Sequence, residues 1–189
     1  MSLLYLGSIF FLVAFMLLAI FDGFYLHLWK FELFKRSEST LEHKIHTIRA
    51  VFFPVIIYFL YISETKIGFY LGVLFFLLDL LVLVLDAYVE DNSRQFMNGL
   101  PKWEYILHLF ANSFHFTSIL FMIATKIEVC DSSIVYSTSN MNHELFYLVK
   151  IVGQTVVPGS VVLAFVHLFL LSDFGKRQWT NYRLKIRCC

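Results

Sequence analysis

Residues 40–50, TLEHKIHTIRA, place one carboxylate and two imidazoles, Glu42, His43 and His46, within about one helical turn. Glu42 and His46 stand four residues apart, and His43 and His46 three apart, so a helix presents each pair on one side. Mixed donors of this kind suit divalent metals. Imidazole binds zinc, iron and copper, while carboxylate neutralises charge and can bridge two ions. Helical di-iron proteins use a related Glu-x-x-His pairing, with further carboxylates supplied by facing helices.

Further donors recur along the chain. Asp79, Asp86 and Glu90 are spaced seven and four apart and share a helix face, and His108, Asn112 and His115 form a similar stripe. Asp22 and His27 lie near the end of the first apolar run. The expected metal ligands are Asp22, His27, Glu42, His43 and His46, joined by Asp79, Asp86, Glu90, His108 and His115. Glu42 and Asp86 are the expected catalytic carboxylates. Zinc would favour hydrolysis; two irons would favour oxygen-dependent hydroxylation or desaturation.

These residues need elements to hold them, and the composition says which. The 189-residue chain is 59% hydrophobic, 19% aromatic and only 15% charged, which excludes an ordinary soluble domain. Apolar runs at about 3–29, 46–63, 67–89, 105–124 and 146–171 approach or exceed the roughly 20 residues that cross a bilayer. The expected fold is all-α, a polytopic membrane bundle of about five transmembrane helices over residues 1–175, with a basic tail at 176–189. The first run lacks a basic leader and a small-residue cleavage site, so it reads as a retained span. A net charge of +1 gives no footprint for nucleic acid.

Twelve of the 15 Lys and Arg residues fall in segments 30–49, 90–104 and 176–187, which alternate with the rest. The positive-inside rule then puts the N-terminus outside and the C-terminus in the cytoplasm. At about 1.5 Å per residue, every span carries an imidazole or carboxylate in its cytoplasmic half, and six of seven histidines lie there; only His143 falls outside. Ionisable groups in a membrane face the bundle interior, so five such helices suggest one shared site. Its substrate would be a lipid or another hydrophobic small molecule, entering sideways between helices.

Plainer readings accompany each residue. His27 and His43 also suit headgroup level, Asp22 a helix break before Gly23, and His167 a satisfied core histidine. Arg49 reads as a headgroup contact or a counter-charge to Glu42. Tyrosines and tryptophans fit interfacial belts; Pro54, Gly153 and Pro158–Gly159 fit kinks and close packing. Cys130 reads as a loop residue, and Cys188 and Cys189 as a lipidation signal or an idle thiol pair behind a tail on anionic headgroups. Two other functions compete: a haem-binding electron carrier using His46 or His27 with His108, and a proton- or ion-coupled transporter relaying through Asp79, Asp86 and Glu90.

Overall fold

The computed structural model of the protein describes residues 2–130, 133–137 and 142–187. Five helices, Ser2–Lys30, Thr40–Ile62, Lys66–Ser93, Lys102–Ala124 and His143–Phe169, are long and apolar enough to cross a membrane. The fold is an all-α membrane bundle. Intrahelical hydrogen bonding satisfies the backbone, which lipid cannot do, so unbroken apolar stretches of this length have few other options.

The first span begins as α1 (Ser2–Ala19) and continues as a π-helix over Ile20–Lys30. The second, α2 (Thr40–Ile57), also ends in a π-helical turn, Tyr58–Ile62, one turn beyond Pro54. Residues 40–45, expected ahead of this span, belong to the helix, and Glu42 and His43, in its first turn, are buried. α3 (Lys66–Ser93) starts on the side-chain oxygen of Thr65, which accepts from Gly68 N at 3.0 Å. α4 (Lys102–Ala124) follows Pro101, and α5 (His143–Phe169) follows Asn142, whose side chain accepts from Leu145 N.

α2 runs through the middle, packed on α3 and α5, while α1 packs chiefly on α4. Phe53, Ile56 and Ile57 of α2 and Leu60 of its π-helical end form one core with Tyr5 and Leu12 of α1 and Ile119 and Met122 of α4. Gly153 lets α5 approach closely: a Cβ there would meet Tyr61 Cβ at 3.1 Å and Ile62 Cγ1 at 3.2 Å. Small residues at such crossings are how helices pack where no hydrophobic effect drives them together. At this end Ser8, Tyr61 and Ser118 form a buried hydroxyl network, with Ser118 Oγ donating to Ser8 O at 2.7 Å.

Two elements depart from the sequence expectation. The α4–α5 connection contains an antiparallel hairpin, β1 (Ile127–Cys130) and β2 (Ser133–Tyr136), so Cys130 ends a strand. The basic tail forms α6 (Asp173–Arg187). Trp179 packs edge-on to Trp29 and Phe34, and Arg183 pairs with Glu32 at 2.5 Å. Lys35 and Arg183 hold the Glu32 carboxyl below its usual range, outweighing the partial burial that opposes this. Cys188 and Cys189 lie outside the described residues.

Candidate metal centre

The π-helical stretch explains how the first span contributes two groups. Asp22 and His27 are five residues apart, and an α-helix would turn them well away from each other. Hydrogen bonding from i to i+5 stacks them instead, and His27 Nε2 lies 3.3 Å from Asp22 Oδ1. α2 adds Glu42 and His46 from successive turns, α4 adds Glu104 and His108 with the same spacing of four, and α3 adds Asp86 and Glu90.

Two overlapping donor groups result. Asp22, His27, Glu104 and His108 offer one atom each within 4.8 Å of one another, and so do His27, Glu42 and His46. Ligands about 2.1 Å from a tetrahedral ion stand about 3.4 Å apart, so little movement would bring either group onto a metal. The bundle thus contains a buried His/Asp/Glu group that could hold a metal ion. Around it, His108 Nδ1 is 2.9 Å from Glu90 Oε2 and its Nε2 is 3.2 Å from Asp22 Oδ1. His46 Nε2 is 3.0 Å from Asp86 Oδ1 and 3.7 Å from Glu42 Oε1.

Two arginines thread the cluster. The fully buried Arg94 donates to Glu42 Oε2 at 2.5 Å, to Glu104 Oε1 at 2.6 and 2.8 Å, and to His27 Nε2 at 3.1 Å. Arg49 donates to Asp79 Oδ1 at 3.2 Å, Asp86 Oδ2 at 3.1 Å and Asn112 Oδ1 at 2.8 Å. Arg49 is therefore neither a headgroup contact nor the partner of Glu42; Arg94 takes that partnership.

His27 Nε2 lies 3.1 Å from the Arg94 guanidinium and 3.3 Å from Asp22 Oδ1. Its Nδ1 lies 3.1 Å from His46 Nδ1, a hydrogen bond that holds a single proton. Asp22, Glu42, Asp79, Asp86, Glu90 and Glu104 are six carboxyl groups against two guanidiniums. His46, His108 and His115 stand against Asp86, Asp22 and Asp79 in turn. Acidic groups thus outnumber the permanent cations, an excess that a bound cation would relieve. Two oxygens of the cluster, Glu42 Oε1 and Glu104 Oε2, are buried without a hydrogen-bond partner.

Not every expected ligand joins the group. His115 pairs with Asp79 at 3.2 Å between Phe15 and Phe53, and Asp79 is also held by Arg49, so both lie one step deeper in the bundle. His43 points elsewhere. Its ring stacks on His167 at 5.3 Å and approaches Phe34. Arg94 and Glu104 were not among the expected residues. Glu104 stands four before His108 and shares its face, a signal equal to Glu42–His46. Arg94 sits in a short polar connection between spans, where a solvated reading comes first.

Beside the donors lies a cavity of about 380 Å³. Its lining combines polar residues, among them Asp22, His46, Arg49, Asp86 and His108, with apolar ones, among them Phe15, Met16, Phe53 and Leu163. Comparison with known proteins finds no family model, no curated protein and no solved structure that matches this chain.

Proposed function

We propose that this protein is a membrane-embedded, metal-dependent enzyme acting on a lipid or other hydrophobic substrate, its metal held by Glu42, His46 and His27 with Asp22, Glu104 and His108 adjoining. The observation that carries this reading is Glu42 Oε1, which is buried without a hydrogen-bond donor and lies within 4.0 Å of His27 Nε2 and His46 Nε2. Two imidazoles and one carboxylate form the donor set of catalytic zinc and of non-haem iron sites, and leave positions open for water or substrate. The many carboxylates separate this centre from a bis-imidazole haem site, which has no use for them.

Each surrounding group has a task. Arg94 fixes the second oxygen of Glu42, as partners beyond the ligands do in metal sites. Arg49 fixes Asp86 Oδ2 while Asp86 Oδ1 lies 3.0 Å from His46 Nε2, so this carboxylate beside the cavity can exchange a proton with His46. Bound zinc supplies a water of pKa near 7 for hydrolysis, and bound iron supplies oxygen chemistry. Elemental analysis after purification without chelators tests the reading. Stoichiometric zinc or iron is expected, lost in Glu42→Gln and His46→Ala; absence of every transition metal from the parent protein overturns it.

The orientation belongs to the same proposal. The distribution of Lys and Arg places the centre in the cytoplasmic half, with Cys130 outside and Cys188 and Cys189 inside. An impermeant thiol reagent added to intact cells should label Cys130 alone; labelling only of the terminal pair would invert the topology.

A proton-relay reading is favoured by one feature, the chain Arg94–His27–His46–Asp86 with steps of 3.1, 3.1 and 3.0 Å. Proton flux in proteoliposomes made from metal-free protein would favour it over the enzyme.

A further inference from the structure

The cavity beside the donors has a mouth, and the mouth shows what can enter. Of the residues lining it, those exposed on the outside of the bundle are Ile20 and Phe24 of the first span and Gly159 and Val162 of α5. No exposed lining residue comes from α2, α3 or α4. The opening is therefore a lateral slot between the first and fifth helices. Two glycines edge it: a Cβ built on Gly23 or on Gly159 meets nothing within 4 Å, so both border open space rather than a packed neighbour.

Depth decides what the slot faces. Spans one and five run the same way through the bundle, so Lys30 and Phe169 end on one side. Gly23 is seven residues from Lys30, about 10 Å, and Gly159 is ten from Phe169, about 15 Å. Both depths fall within a hydrocarbon layer of about 30 Å, so the slot meets acyl chains rather than water. Inside, the lining offers two chemistries. An apolar chain suits Phe15, Met16, Phe53 and Leu163, and an oxygen-bearing head suits Arg49, Asn112 and His108. A volume of about 380 Å³ is within the usual range for a small-molecule site.

We infer that this cavity is a binding site for one acyl chain of a membrane lipid, which enters through the slot between the first and fifth helices and sets its oxygenated head on Arg49 and His108. This rests on the proposed enzyme only in naming that enzyme's substrate class; the slot and its lining exist without a metal.

The test uses full-length protein in lipid nanodiscs and a fatty acid carrying a mid-chain diazirine. After illumination, adducts are mapped by mass spectrometry. Adducts are expected on interior residues of the apolar lining, Phe53 above all, in addition to the lipid-exposed surface. Gly159→Trp fills open space at the slot and should reduce interior adducts at least tenfold, with the metal content and melting temperature of the parent. Val162→Trp provides a second plug should the first fail to fold. Leu81→Trp, on the lipid-facing side of α3, should leave the interior adducts unchanged. Adducts confined to outward-facing residues in the parent, or undiminished interior labelling in both folded plug variants, overturn the inference. Interior labelling of a protein that proves free of metal would sink the enzyme reading and leave the acyl site standing; stoichiometric metal without interior labelling would do the reverse.

Discussion

Ser8, Tyr61 and Ser118 tie the first, second and fourth helices together toward one end of the bundle, and Asp22, His27, Glu42, His46 and Glu104 tie the same three helices toward the other. The hydroxyl network is neutral and closed. Ser8 Oγ contacts Tyr61 Oη at 3.1 Å and Ser118 O at 3.0 Å, and none of its oxygens is left without a partner. The carboxylate network is charged and open, with more acceptors than donors and oxygens that nothing satisfies. Closed hydroxyl contacts suffice to hold helices together in lipid. The charged network adds cost without adding better packing, and that excess is the physical sign of a task beyond cohesion.

Substitutions can break this contrast, most severely at Arg94. Arg94→Met removes the cation between Glu42 and Glu104 and leaves two carboxylates buried without it. A loss of about 3–5 kcal/mol is expected in denaturant unfolding from detergent micelles. An unchanged unfolding midpoint would mean that another cation already compensates them. His46→Ala comes next: bound metal should fall at least about tenfold, measured by elemental analysis, whereas Tyr61→Phe should keep the parent's full complement.

The closed end holds one buried charge of its own, and pH reports on it. Lys126 donates to Ser63 O at 2.7 Å and lies over the Phe146 ring at 5.1 Å. Burial pushes its ammonium down from the usual 10.5 to about 8. The folded state then binds fewer protons than the unfolded chain between these values, so Lys126 makes stability rise with pH from about 8 to about 10.5, by at most about 1.4 kcal/mol per pH unit. Melting curves across this window check it, and Lys126→Met should flatten the rise. Tyr61→Phe is expected to cost about 0.5–1.5 kcal/mol with metal content unchanged. His143→Ala, at the exposed start of α5, should move stability by about 0.5 kcal/mol or less and bound metal not at all.

The spans were legible because apolar length alone dictates them; each expected run lies largely within an observed helix. The gathering of Glu42, His46, Asp86, Glu90 and His108 was legible too, because depth and a spacing of four survive any packing of parallel rods. What hydropathy cannot carry is rotation. His43 lies one residue from Glu42 yet faces His167, a choice made by how α2 sits between α3 and α5. Asp22 and His27 meet only because the first span changes to π spacing, and no residue in IFDGFYLHLWK announces that change. Arg49 and Arg94 were hidden by a prior that puts arginine at the membrane surface. The unequal number of acids and bases in the spans was the available clue that they belonged inside.

Arg94 also bears on how such a chain is made. Spans enter a membrane in order, and α2 and α3 form a helical hairpin whose open ends carry Glu42 and Arg94, 52 residues apart in sequence. Their ion pair can close as soon as α3 is in place, like a clasp on that hairpin. Glu104 arrives afterwards with α4 and takes up the remaining guanidinium hydrogens. A chain arrested between these two events would hold Arg94 half-satisfied near the membrane face, a waypoint that a cysteine pair replacing Glu42 and Arg94 could trap by crosslinking on the ribosome.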